Sequence, residues 1–117
     1  MRTVIGIDIG GSTTKIVGIK TDNEGKETLI PPIFVKAADA ITSVYGAFGR
    51  FTLENGIDLN EIDKVLMTGV GSSFIDKPIY GLDCTKVSEF ASVGLGGLYL
   101  SGLDEAIVVS IDRKSVV

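Results

Sequence analysis

The sequence has no histidine and a single cysteine, Cys84. Without histidine, acid–base chemistry falls to carboxylates, lysine or tyrosine. A lone thiol cannot close an internal disulfide, and nothing suggests secretion, so a reducing cytoplasm is the expected setting. No run of about 18 apolar residues occurs, so no membrane span is expected. The chain passes straight into a strand pattern rather than a basic and then an apolar segment, so no signal peptide is expected. Basic charge is not in excess either: 11 lysines and arginines face 15 aspartates and glutamates, a net of −4. That balance argues against nucleic-acid binding through a broad basic face. It leaves room for a small anion held by one loop. What is present is 117 residues, 44% of them apolar, enough for one domain with a real core.

The chain opens on the stretch IGIDIGGSTTKIVGI, residues 5–19. Residues 2–9 and 13–20 read as strands joined by Gly10, Gly11 and Ser12, short enough for a hairpin. Residues 27–35 read as a third strand. Pro31 and Pro32 cannot donate to a ladder, which places it at a sheet edge. The period then changes. Over residues 39–55, Ile41, Val44, Tyr45, Phe48 and Phe51 fall at helical spacing, and Tyr45, Phe48 and Phe51 are expected in the core. Gly56 follows the helix. A strand over 62–67 ends at a second glycine loop, residues 68–73. A short strand near 85–87, a helix over 88–101 capped by Ser88 and closed by Gly102, and a last strand over 106–111 complete the order. Three antiparallel strands followed by alternating helices and strands predict an α/β fold with one mixed sheet.

Asp8 stands where the first strand ends. A carboxylate in so apolar a strand is costly unless partnered. Beside a glycine hairpin it can hold a hydrated Mg²⁺ or orient a reacting hydroxyl. Gly10 and Gly11 expose backbone N–H groups with no Cβ in the way. Ser12, Thr13 and Thr14 add hydroxyls, and Lys15 adds a positive charge. These residues suit a phosphate cradle built on a hairpin. The spacing is neither the P-loop nor the dinucleotide fingerprint, both of which open a helix. The plain alternative is a Gly-Gly turn with an incidental aspartate.

Asp8 to Lys15 resembles the first phosphate motif, D-x-G-G-[ST]-x-x-K, of the acetate and sugar kinase, Hsp70 and actin superfamily. Residues 67–72, 87–91 and 94–99 are similar to type II pantothenate kinases, as are residues 103–110. The resemblance implies a ribonuclease H-like, actin-like ATPase lobe over residues 1–111. It implies transfer of the γ-phosphoryl group of ATP to pantothenate, the first step of coenzyme A synthesis, with ATP and Mg²⁺ as cofactors and a homodimer as the assembly. Carried over by position, Glu89 matches the catalytic base and Asp8 the acidic residue of the first motif. Gly10, Gly11, Ser12, Thr13 and Lys15 match its phosphate-binding part, and Gly69, Gly71 and Ser72 a loop lining the cleft. Glu89 also suits the first turn of a helix on electrostatic grounds alone.

Such kinases continue past the strand at Val109 with a second phosphate loop and a second lobe. Residues 112–117 depart from that pattern, and the second lobe is expected to be missing from this chain. Half a cleft cannot preorganise ATP or exclude water, so phosphoryl transfer by these residues alone is expected to be poor. Two other readings share the first motif or the fold. One is the ATPase activator of a 2-hydroxyacyl-CoA dehydratase. The other is a non-catalytic single-lobe binding module. A sugar kinase would carry its aspartate in an Asn-Asp context, which this sequence lacks.

Overall fold

Alternation along the first strand, β1 (Arg2–Ile9), sorts its side chains onto two faces. Thr3, Ile5, Ile7 and Ile9 are buried on one, and Val4, Gly6 and Asp8 are half-buried on the other. This comes from a computed structural model that describes residues 1–36, 39–103, 105 and 107. They fall into two units, Met1–Lys86 and the segment from Val87 onward, each described by itself. The strand expected over 106–111 and the tail 112–117 lie outside the described residues, apart from Ile107.

In the first unit β1 pairs antiparallel with β2 (Thr13–Thr21), and β2 pairs antiparallel with β3 (Glu27–Lys36). The chain then crosses through helix α1 (Ala40–Glu54) to β4 (Lys64–Thr68), which runs parallel to β1. β5 (Cys84–Lys86) adds parallel to β4, giving the order β3-β2-β1-β4-β5. β3 is at an edge. Its register against β2 shifts between the pairs Ile16↔Ile33 and Gly18↔Ile30, leaving one extra residue on β3 at Pro31 and Pro32. That bulge lets Ile30 and Ile33, three residues apart, both face the core.

α1 is started by Asp39, whose carboxylate accepts from the Thr42 backbone N–H and hydroxyl, both at 2.8 Å. Its buried stripe is Ser43, Val44, Ala47, Phe48 and Phe51. This corrects the expected stripe at two positions. Ile41 is 52% exposed and Tyr45 37%. Tyr45 instead meets the edge of Tyr80 at 5.0 Å between ring centroids, and the Tyr80 hydroxyl donates to the Tyr45 carbonyl at 3.1 Å. Gly18 lies under the helix. A Cβ there would sit 2.8 Å from Ile30 Cδ1 and 3.0 Å from Phe51 Cζ, so glycine sets the helix-to-sheet distance.

β4 starts two residues later than its apolar pattern predicts, because Ile62 closes a 3-10 turn over Leu59–Glu61. Asp63 joins that turn to β1: its carboxylate accepts from the Thr3 N–H at 2.7 Å, and its own N–H donates to the Thr3 carbonyl at 2.9 Å. In the second unit, helix α2 (Glu89–Ser101) is capped by Ser88, whose hydroxyl accepts from the Ala91 N–H at 3.4 Å. It is closed by Gly102 in the left-handed region. Among the described residues, no helix is long and apolar enough to cross a membrane.

Candidate functional site

Parallel β1 and β4 end side by side, and the hairpin after β1 and the glycine loop after β4 therefore meet at one edge of the sheet. In open α/β sheets that edge, outside the carboxyl ends of the strands, is where ligands bind. The α1 N-terminus arrives at the same edge, because the crossover from β3 begins there.

The hairpin is closed by the Gly10 N–H, which donates to the Thr13 carbonyl at 2.9 Å. A Cβ on Gly10 would lie 2.9 Å from that carbonyl oxygen, so the turn tolerates no side chain. Gly11 and Ser12 form its exposed tip. Asp8, Thr13 and Lys15 share the face turned away from α1, with Asp8 in register with Lys15 on one side and Thr68 on the other. Lys15 Nζ lies 3.8 Å from Asp8 Oδ2, with side chains 57% and 39% exposed. A pair so open to water adds little stability. Its importance is that it puts a cation and a carboxylate next to an open glycine tip.

Thr14 corrects the sequence reading. It is fully buried on the opposite face, where its hydroxyl accepts from Ser43 of α1 at 2.6 Å. It cannot donate to a ligand at the tip. The hairpin thus offers the hydroxyls of Ser12 and Thr13 only, and Thr14 fastens it to α1.

The second loop has a different job from simple lining. Gly69, at φ 95° and ψ 163°, turns the chain out of β4. A Cβ on it would lie 2.6 Å from Asp8 Oδ1 and collide with the Ile9 carbonyl. Val70–Phe74 then forms a 3-10 turn. Gly71 is buried, and a Cβ there would collide with Ile9 Cγ2 and come within 3.2 Å of Ala40 Cβ. Ser72 points back into its own loop, donating its hydroxyl to the Gly69 carbonyl at 2.7 Å.

On the α1 side of the hairpin these elements border an open cleft of about 390 Å³, lined by Gly10, Gly11, Asp39, Ala40, Ile41, Val70, Gly71 and Phe74. Asp39, Ala40, Ile41 and Phe74 escaped the sequence reading as site residues. The one signal for them was the N-cap position of Asp39, just after the end of β3. The Asp39 carboxyl is held below the usual aspartate range by the Thr42 backbone N–H and, next, the Thr42 hydroxyl.

The first unit therefore brings together Asp8, Gly10, Gly11, Ser12, Thr13, Lys15, Gly69, Gly71 and Ser72. Glu89 belongs to the other unit, where it is exposed at the first position of α2. Among the described residues no cluster of three or more metal-ligating side chains occurs. A single half-buried carboxylate beside an exposed glycine turn still fits Mg²⁺, which keeps several waters and commonly takes one or two carboxylates plus phosphate oxygens.

No family model and no curated protein matches the chain. Solved structures do. One is the activator of the 2-hydroxyisocaproyl-CoA dehydratase from Clostridium difficile with bound ADPNP, at 20% identity and TM-score 0.67, covering 83% of this chain and 33% of that one. Another is the (R)-2-hydroxyglutaryl-CoA dehydratase component A of Acidaminococcus fermentans, at 15% identity and TM-score 0.69, covering 86% and 36%. YeaZ from Pseudomonas aeruginosa matches at 14% identity and TM-score 0.55, covering 87% and 50%. The chain spans about a third of the length of the first two. At these identities the likeness is one of fold.

Proposed function

We propose that this chain is a nucleotide-binding lobe of an ATP-hydrolysing protein of the dehydratase-activator type. One observation carries the reading. Asp8, the Gly10–Gly11–Ser12 tip and Lys15 converge at the carboxyl end of β1, on a fold shared with an activator whose structure holds ADPNP. The backbone N–H groups at the tip and the hydroxyls of Ser12 and Thr13 would donate to phosphate oxygens. Lys15 would neutralise part of their charge. Asp8 would hold Mg²⁺, directly or through water. Bound there, Mg²⁺ supplies charge neutralisation of the phosphates. Positioning and electrostatics of this kind are most of what phosphoryl transfer asks of a protein.

A second reading is supported by the sequence. Residues 67–72, 87–91 and 94–99 are similar to type II pantothenate kinases, with Glu89 as the base that takes the proton of the attacking hydroxyl. A homodimer belongs to this kinase reading as the assembly to test. The two readings part on the acceptor. ADP release by the purified protein, measured with and without pantothenate, separates them. Release that needs no organic acceptor supports the activator-type reading. Release that depends on pantothenate and is lost in Glu89→Gln supports the kinase. Absence of nucleotide binding under any condition removes both.

A further inference from the structure

We infer that Gly69 is a positioning residue for the Asp8 carboxylate, and that it sets how this site takes a divalent cation. The inference rests on the proposed role of Asp8. It starts from the two oxygens of that carboxylate, which meet different surroundings. Oδ2 faces Lys15 Nζ at 3.8 Å. Oδ1 lies where a side chain on residue 69 would have to go: a Cβ there would stand 2.6 Å away. The carboxylate is therefore bracketed by a flexible cation on one side and by backbone on the other.

That backbone is itself held in place. The Gly69 carbonyl accepts two hydrogen bonds from Ser72, from its N–H at 3.1 Å and from its hydroxyl at 2.7 Å. Two residues on, buried Gly71 packs against Ile9 and Ala40. The φ of 95° and ψ of 163° lie in a region that is essentially glycine's alone. Each feature keeps the loop against the end of β1, where it limits the directions in which Asp8 can turn. A small hard cation is sensitive to just this, since Mg²⁺ demands near-ideal octahedral geometry. Residues that orient a metal ligand without touching the metal commonly alter metal affinity by about 10–100-fold.

The test compares binding of a non-hydrolysable ATP analogue with and without Mg²⁺, by calorimetry, for the wild-type chain, Asp8→Asn, Gly69→Ala and Ser72→Ala. The readout is the ratio of the two affinities. In Gly69→Ala the ratio is expected to fall about tenfold or more. Ser72→Ala adds no atom to the site but frees the Gly69 carbonyl, and is expected to move the ratio the same way by less. A loop with only a structural role would lower both affinities together. A folded Gly69→Ala with the wild-type ratio overturns the inference. Should that variant fail to fold in a thermal melt, an unchanged ratio in Ser72→Ala does so. If instead the wild-type chain shows no Mg²⁺ dependence, or Asp8→Asn retains it, the role of Asp8 is wrong and the inference goes with it.

Discussion

Replacing Thr14 by valine keeps the outline of the side chain and deletes one hydroxyl. In the folded protein that hydroxyl is fully buried and accepts from Ser43 at 2.6 Å, and Ser43 is itself only 4% exposed. The variant leaves the Ser43 donor inside the core. A buried donor left unmatched costs about 1–3 kcal/mol. Ser43 sits one turn into α1 and can turn back toward the Asp39 carbonyl, which favours the lower half of that range, about 1–2 kcal/mol. For a domain this size, each kcal/mol moves the melting temperature by roughly 4 °C, so Thr14→Val is expected to melt roughly 4–8 °C lower. Removing both hydroxyls, in Thr14→Val with Ser43→Ala, should recover much of that loss, because no donor is then stranded. Denaturant melts of the four proteins close a double-mutant cycle, with an expected coupling of about 1 kcal/mol or more. Nucleotide affinity of folded Thr14→Val should stay within about threefold of wild type, since the hydroxyl faces away from the tip; the bound is on the order of 0.6 kcal/mol. Coupling near zero would refute the buried pair as a fastening of hairpin to helix. A collapse of nucleotide affinity in a fully folded Thr14→Val would refute the placement of this hydroxyl.

Three further outcomes follow from the packing and the ionisable groups. Gly18→Ala should destabilise by about 1–3 kcal/mol in denaturant melts, because its Cβ would press on Ile30 and Phe51 in a filled core. Asp39 has a folded pKa below its ordinary 3.8, through the Thr42 N–H and hydroxyl. Its ionised cap therefore contributes above that pH and is lost as pH falls through the lower, folded value. The stability difference between wild type and Asp39→Asn should be constant near neutrality and shrink below pH 3.8. Burial raises the Cys84 thiol above its ordinary 9.0. The neutral thiol is thus favoured in the fold, a contribution present below pH 9.0 and lost as pH rises through the folded value. Iodoacetamide at pH 8 should label native Cys84 more slowly than the urea-denatured chain.

Much of the first unit was legible because its signals are local. Alternation of Ile5, Ile7 and Ile9 around Asp8 marks β1, and Gly10–Gly11–Ser12 marks the turn. Asp39 and Gly56 bracket a helix whose spacing is plain. Pro31 and Pro32 give away an edge strand. What escaped depends on tertiary contacts. The faces of β2 were not distinguished, so Thr14 read as a ligand donor beside Thr13, although strand alternation puts them on opposite sides. Tyr45 read as core, yet Tyr80, 35 residues on, draws its ring to the rim. Ile41 and Phe74 line the cleft only because the crossover after β3 returns to the end of β1. Gly69 was legible as a loop glycine, whereas its contact with Asp8 requires the parallel pairing of β1 with β4. Glu89 was reached by resemblance, and its role remains part of the proposal.

The most direct test of the account is calorimetric titration of a non-hydrolysable ATP analogue with Mg²⁺ into the wild-type chain and into Asp8→Asn. The account predicts saturable binding to the wild type at one site. It predicts at least about tenfold weaker binding to Asp8→Asn, a loss of roughly 1.4 kcal/mol, with the two proteins melting at the same temperature. Equal affinity in the two, or no binding to a folded wild-type chain, would contradict it.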